Sequence, residues 1–373
     1  MIASPEAAGS RLNLIAFGMG VAGIVTLTAL ALVNRSTWGV DFSQFYAAGS
    51  LAGTGHVYDW DVIQVLELQH AGTAVPFLRL PFFAAVLKPL SLLPYSAART
   101  LFLLLELAAA AGSVALWPVA RGSWRWTALC WSAPAAICLA FGQDTILFLF
   151  VVSLGFWLLF RGHDFWAGVV LSLCASKPHL AVLVPVVLAA QAKWRTLVGG
   201  IAGGVVIVAL SFAVEGPAWP ERWLAQSRLP DFEHTFDRMP NLRGLFTFLG
   251  ESLALELVVG VGIAGVVYFL SRSISLKCGM ILALSVGLLL SHHSYVYDCV
   301  VLIPGLLLAF EPGYPKWLRM WAFFLLTPLA YLLLMTDFKL PGHLAITGYT
   351  IALLIAIARY RPLVERAATG VPA

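Results

Sequence analysis

A small set of polar side chains stands at the ends of long apolar runs. Asp41 follows the run 12–33, Lys177 lies between two apolar runs in CASKPHL, and His292 and His293 end a further run. A carboxylate can accept a proton from a hydroxyl group, and lysine or histidine can hold a phosphate. A phosphate leaves as a stable anion, so cations replace the second carboxylic acid that a glycosidase needs. This set therefore indicates transfer of a group from a lipid phosphate to an alcohol.

Each of these residues also has a structural interpretation. Asp41 is suited to cap a helix over 42–52, because aspartate is favoured at that position. Lys177 is suited to extend along the end of a helix towards water. The adjacent His292 and His293 point about 100° apart on a helix, so only one of them faces a given site. Their spacing is also unsuited to a metal, and we expect neither a metal nor an organic cofactor.

Further polar residues lie on the same predicted side of the membrane. Asp59 and Asp61 flank a tryptophan in the D-x-D pattern of metal-dependent sugar transferases, but capping of a helix over 57–69 is the preferred interpretation. Asp144 and the segment 295–298 are lesser candidates for the site. The candidate substrate-binding residues are Tyr46, Gln143, His179, Asn241, Arg243 and Tyr297.

Composition excludes a soluble protein. The 373 residues are 60% hydrophobic and 11% charged, whereas soluble domains carry roughly 25% charged residues. We predict an all-α polytopic membrane bundle of about 11–13 transmembrane helices. Basic residues are dispersed, so no nucleic-acid partner is expected. The clearest apolar runs are 12–33, 101–116, 146–160, 197–213, 253–270, 317–335 and 344–357.

The distribution of basic residues predicts the orientation. The connections 121–125, 160–165, 191–195, 271–277, 315–319 and the C-terminal tail carry more than half of the lysines and arginines. They are predicted to face the cytoplasm, together with the N-terminus. The loops 34–80 and 215–250 are rich in aromatic residues and are expected to hold external helices in the headgroup plane. One membrane domain, 1–373, is predicted; the crossings within 81–117 and 165–191 stay open.

An ordered series of motifs runs along residues 40–310: DFSQFYAAG, LPFFAAVLKPLSLLP, FGQDTILFLF, ASKPHLAVL and HHSYVYDCVVLIPGLLL. The series resembles glycosyltransferase family 87, multi-pass enzymes of the GT-C class that use polyprenyl-phosphate sugars. The resemblance implies inverting hexosyl transfer, more narrowly mannosyl transfer, with Asp41 as base. It also implies that Lys177 and one histidine of the 292–293 pair face the donor phosphate. The chain departs from the family in Leu-Pro-Phe at 80–82 and in Asp144, where asparagine is common.

Two other functions use similar charges. A transporter or flippase of lipid-linked sugars would bind the headgroup without chemistry, but it should carry polar groups through the midplane, where only Glu106 is found. A GT-C-like ligase or polymerase would use a diphosphate-linked donor. The expected partners are a polyprenyl-phosphate sugar, a lipid or glycan acceptor, and membrane lipids. The expected location is the inner or plasma membrane, with the site on the external (periplasmic) face.

Overall fold

The computed structural model of the chain describes residues 39–117, 124–229, 236–250 and 253–369. Every element in these ranges is helical, as the sequence predicts. The α-helices are α1 Val40–Leu51, α2 Trp60–Leu68, α3 Pro81–Ser91, α4 Tyr95–Leu116, α5 Trp124–Trp131, α6 Ala133–Phe141, α7 Thr145–Phe160, α8 Asp164–Ser172, α9 Val184–Ala190, α10 Trp194–Glu215, α11 Trp219–Gln226, α12 Leu242–Phe246, α13 Leu253–Ser271, α14 Leu276–Leu290, α15 Ile303–Leu308, α16 Lys316–Leu326, α17 Leu329–Met335 and α18 Lys339–Thr369. Short 3-10 turns lie at Leu173–Ser176, Pro178–Ala181, Phe236–Arg238, Thr247–Leu249 and Val296–Leu302.

Several helices are long and apolar enough to cross a membrane. They are α4, α10, α13 and the part Lys339–Tyr360 of α18, and the bent pairs α6–α7 and α16–α17 each add one if counted as a single span. These helices coincide with the predicted apolar runs, except for 12–33, which lies outside the described residues. The protein is thus a polytopic helical membrane protein. The prediction of about 11–13 transmembrane helices holds only if shorter apolar segments also cross the membrane. These segments are Asp164–Ser176, Pro178–Ala190, Leu276–Leu290 and Val296–Leu308.

The two segments left open by hydropathy contain short helices. Helix α3 has 11 residues, which is about 16 Å of helix against about 30 Å of hydrocarbon. It packs against α1, while α4 is the long helix of this stretch. Helices α8 and α9 are separated by two 3-10 turns, and Lys177 lies between those turns.

The predicted helices of the loop 34–80 are present as α1 and α2. Asp59 occupies the N-cap position of α2, but its carboxylate contacts His56 Nδ1 at 3.2 Å and makes no side-chain cap bond. Asp41 lies inside the first turn of α1, and Gly39 occupies the N-cap. The capping interpretation of Asp41 is therefore wrong. An acidic residue in a first turn is still favoured by the helix dipole.

Helix α14 forms the centre of the bundle. All its residues from Cys278 to Leu289 are buried. It packs against the turns Pro178–Ala181 and Val296–Leu302. At Gly287 a side chain would meet the Leu180 carbonyl oxygen at 2.7 Å. This close approach holds the segment around Lys177 against the central helix.

Helices α8 and α10 meet along a seam of small residues. A Cβ atom on Gly199 would overlap the carbonyl oxygen of Phe165, and one on Gly203 would overlap the hydroxyl group of Ser172. Glycines four residues apart allow membrane helices to approach until their backbones touch. The seam fixes the end of α8, from which the turn leading to Lys177 begins.

Replacement of Gly199 tests this packing. Gly199→Ala should lower the free energy of unfolding by about 1–3 kcal/mol, because a backbone carbonyl cannot rotate away from the added methyl group. The measurement is thermal melting in detergent, followed by tryptophan fluorescence. Gly204→Ala is the matched control on the same helix, since a Cβ atom there meets nothing within 4 Å. Equal melting temperatures for the two variants would contradict the close seam.

Candidate functional site

Asp41 is held by the backbone bonds of the residue before α1. Gly39 has a φ of 72°, in the left-handed region that favours glycine. Its amide donates to the Ala140 carbonyl at 2.8 Å, and its own carbonyl accepts from the Tyr95 hydroxyl at 3.1 Å. These bonds fix where α1 begins and thus the position of Asp41. Asp41 remains partly exposed, whereas its neighbours Phe42 to Phe45 are buried.

Arg99 of α4 binds the same region. Its guanidinium donates to the carbonyl groups of Leu139 and Ala140 at the end of α6. The last carbonyls of a helix have no partner within it, so Arg99 and Gly39 together satisfy them. Arg99 Nη1 also lies 3.5 Å from Glu106 Oε2. The buried Glu106 therefore has a partner, one that the sequence does not reveal.

The break between α6 and α7 brings two polar residues to Asp41. Helix α6 ends at Gly142, which has a φ of 73°, and α7 leaves at an angle of 117°. Gln143 and Asp144 lie in the break, and both are buried. The Gln143 side chain hydrogen-bonds the Asp41 carboxylate, and its Oε1 lies 3.5 Å from Lys177 Nζ. An amide donates and accepts at once, so Gln143 links the predicted base to the predicted cation.

Lys177 is enclosed, with only 2% of its surface exposed. Its Nζ lies 2.7 Å from Thr145 Oγ1, 2.7 Å from Asp298 Oδ1 and 3.3 Å from Asp144 Oδ1. It also lies 5.0 Å from the centroid of the Tyr297 ring. An ammonium group has three donors, and the protein supplies at least as many acceptors. The structure thus places Lys177 beside the site, fully engaged with other side chains.

Arg79 completes an ionic network, which we define as Arg79, Asp144, Lys177 and Asp298. Arg79 Nε and Nη2 each donate to a carboxylate oxygen of Asp144 at 2.9 Å, a bidentate geometry. Asp298 Oδ2 accepts from the Tyr295 amide at 2.9 Å. The charges of the two cations and the two carboxylates sum to zero. Every charge in the network is paired, which is the condition under which buried ions are tolerated.

The carboxyl groups of Asp41 and Glu67 lie close enough to influence each other. Burial raises the pKa of Asp41 to about 6, against the lowering effects of the Gln143 hydrogen bond and of Lys177 and Arg79. Burial likewise raises the pKa of Glu67 to about 8, and the charge of Asp41 adds to the rise. Near pH 7 these shifts favour the ionised form of Asp41 and the neutral form of Glu67. Of the two groups, Asp41 is the one able to accept a proton.

Three predicted site residues bind partners outside the ionic network. His292 is largely exposed, and its Nδ1 lies 2.9 Å from Glu256 Oε1. Arg243 Nη1 lies 3.5 Å from the other oxygen of the same carboxylate. Asn241 is buried, donates to the Ser291 carbonyl at 2.7 Å and caps α12 with its Oδ1. These contacts tie α12 and α13 to the end of α14.

Two further predicted residues, His179 and His293, border the network. His293 faces His179 edge-on, with ring centroids 6.5 Å apart, and His179 is close enough to Asp298 for their charges to interact. The two adjacent histidines diverge, and His293 is the one beside the network. They follow the end of α14 at Leu290 and do not lie on a helix, so the helical spacing on which the expectation is based does not apply. The Tyr46 hydroxyl donates to the Leu93 carbonyl at 2.8 Å.

Arg79, Thr145 and Glu67 were not among the predicted site residues. Arg79 carried a weak signal, because a basic residue is less common in external than in cytoplasmic connections of a membrane protein. Thr145 adjoins the candidates Gln143 and Asp144 in FGQDT, whereas Glu67 in VLELQH carries no such signal. Within the described ranges, no group of three or more His, Cys, Asp or Glu side chains is arranged to hold a metal.

Comparison with known families now gives a match. The model described as Glycosyltransferase family 87 covers residues 77–292, more than half of the chain. The matched region includes Arg79, Asp144 and Lys177, whereas Asp41 precedes it and Asp298 follows it. Neither the curated proteins nor the solved structures give a match. On the strength of the family match, and in agreement with its membrane-spanning helical fold, the chain belongs to glycosyltransferase family 87.

Proposed function

We propose that the protein transfers a hexosyl group, in particular a mannosyl group, from a polyprenyl-phosphate donor to a hydroxyl group of a lipid or glycan acceptor. The observation that carries the proposal is the series of contacts from Asp41 through Gln143 to Lys177. It sets the Asp41 carboxylate beside a buried cationic group. Family membership supports glycosyl transfer, and the raised pKa of Asp41 suits a general base working near neutral pH.

In the proposed step, the acceptor oxygen attacks the anomeric carbon from the side opposite the phosphate. The bond from that carbon to the phosphate oxygen breaks, and its electron pair leaves with polyprenyl phosphate. The hydroxyl proton passes to the Asp41 carboxylate, and the anomeric configuration inverts. No second carboxylic acid is required, because the phosphate leaves as an anion.

The residues proposed to face the donor phosphate contribute in different ways. Lys177 has its donors engaged by Thr145 and two carboxylates, so we propose that it acts through its charge and by holding the network together. His293 borders the network, and we propose that it contacts the phosphate. His292 is held by Glu256 and is largely exposed, which suits contact with lipid headgroups.

We propose that the Asp41 end of the bundle faces the exterior, in the inner or plasma membrane, with the N-terminus in the cytoplasm. The connections between the later helices support this orientation. Arg161 lies between α7 and α8, Lys193 between α9 and α10, and Arg272 between α13 and α14. Connections rich in basic residues stay in the cytoplasm. Asp41 and Lys177 belong to the opposite, alternating set of connections.

Removal of the charge at Asp41 tests the role of the base. Asp41→Asn should lower kcat by about 100- to 10,000-fold, because the amide cannot accept the acceptor's proton. The assay uses purified protein in nanodiscs with a polyprenyl-phosphate sugar and a lipid extract. It follows both new glycolipid and released polyprenyl phosphate. A transporter would give neither product.

Asp61→Asn is the matched control, since Asp61 also lies in the first turn of its helix and is exposed. This control should retain wild-type turnover. Both variants should melt at the wild-type temperature. Turnover by a folded Asp41→Asn protein would remove Asp41 from the role of base.

The pH dependence of the rate offers a second test. Asp41 accepts a proton only when ionised, and its pKa is raised to about 6. The rate should be level above that pH and fall about tenfold per pH unit below it. The donor phosphodiester does not titrate in this range. A midpoint near 3.8, the ordinary aspartate value, would contradict the enclosed setting of Asp41.

A further inference from the structure

The segment that carries Arg79 is fastened by three side chains, which come from α2, from α11 and from the loop before α2. Glu67 Oε2 accepts from the Val75 amide at 2.8 Å. Trp223 Nε1 donates to the Leu78 carbonyl at 3.2 Å. The Tyr58 hydroxyl donates to the carbonyl of Arg79 itself at 2.6 Å. An extended segment anchored in this way presents the Arg79 side chain in a fixed direction.

Only some of the hydrogen-bond donors of the Arg79 guanidinium are bound by described residues. Its Nε and Nη2 bind Asp144, and no hydrogen bond from Nη1 to a described residue is found. The side chain is 15% exposed, against 2% for Lys177. Of the two cations in the network, Arg79 is therefore the one with open surface and a free donor. It is also close enough to Asp41 for its charge to act on that carboxylate.

We propose that Arg79 contacts the donor phosphate directly through Nη1, while Asp144 holds the guanidinium in place. The inference rests on the proposed function, since it names the group that meets the phosphate of that donor. Arginine suits this role because its planar fork can bind a carboxylate on one edge and keep a donor for a phosphate oxygen. Lys177 then stabilises the arrangement through the Asp144 carboxylate, which both cations contact.

This arrangement makes Asp144 both a support and a competitor for Arg79. The carboxylate directs the guanidinium, but its negative charge also cancels the positive charge that a phosphate would meet. Removing only that charge, with Asn in place of Asp, leaves an oxygen acceptor at the same position. The phosphate should then bind more tightly, whereas loss of the arginine should weaken binding.

The experiment measures equilibrium binding of polyprenyl phosphate and of inorganic phosphate to the full-length protein in nanodiscs. Arg79→Gln should weaken binding of both by about 10- to 100-fold. Asp144→Asn should tighten binding about tenfold. Arg222→Gln is the matched control, because that guanidinium binds the carbonyl groups of Gly55 and Glu215, outside the network. It should bind both probes like the wild type.

Because the two variants should change phosphate affinity in opposite directions, the experiment separates a phosphate contact from a purely structural ion pair. Wild-type binding in a folded Arg79→Gln protein, or weakened binding in both network variants, would overturn the inference. If Arg79→Gln does not fold, Arg79→Lys replaces it, and failure of Asp144→Asn to tighten binding is by itself decisive. Arg79-dependent binding of inorganic phosphate without turnover of a polyprenyl-phosphate sugar would keep the inference and reject the donor. Turnover of a polyprenyl-phosphate sugar, with unchanged phosphate binding in Arg79→Gln, would keep the proposed donor and reject the Arg79 contact. A wild-type protein that binds neither probe would reject both the donor and the contact.

Discussion

The enclosure of the Lys177 ammonium between Asp144 and Asp298 is the constraint around which the site is built. The three residues come from distant parts of the chain, and each lies where a helix is interrupted: the α6–α7 break, the turns between α8 and α9, and the 3-10 turn before α15. Interrupted helices within a membrane protein must lie against protein, because lipid cannot satisfy their free backbone groups. The interruptions therefore gather in the interior, and the charges they carry pair there. Removing one partner of such a buried pair typically costs about 3–5 kcal/mol.

The neutrality of the ionic network has a chemical consequence for Asp41. Burial raises the pKa of Asp41 more than the positive charges of Lys177 and Arg79 lower it, and the negative charge of Asp144 adds to the rise. Two unpaired cations at the same positions would favour the ionised form more strongly and leave a weaker base. Neutral Glu67 avoids a second negative charge beside Asp41. The site thus carries its one uncompensated charge on the group proposed to take the proton.

Much of the fold could be predicted from the sequence, because a chain of this hydropathy has few alternatives to helices in lipid. The connection between Asp41, Gln143 and Lys177 was also within reach, since the basic residues placed all three on one side of the membrane. The pairing of Arg79 with Asp144 was not, because it depends on how the segment before α3 packs against the α6–α7 break. His292 is a similar case: its partner Glu256 opens α13, and no spacing in the sequence brings those two residues together.

The carbonyl groups at the end of α6 that have no partner within the helix bind the start of α1. Gly39 and Arg99 both bind there, to the backbone of Leu139 and Ala140. Since every residue has a carbonyl group, this attachment does not depend on which side chains occupy positions 139 and 140. Other side chains at positions 139 and 140 would keep this backbone attachment of Asp41, whereas Gly39, with its left-handed backbone, tolerates few replacements. The anchorage of Asp41 is thus robust to substitutions at the end of α6 and sensitive to substitution of Gly39.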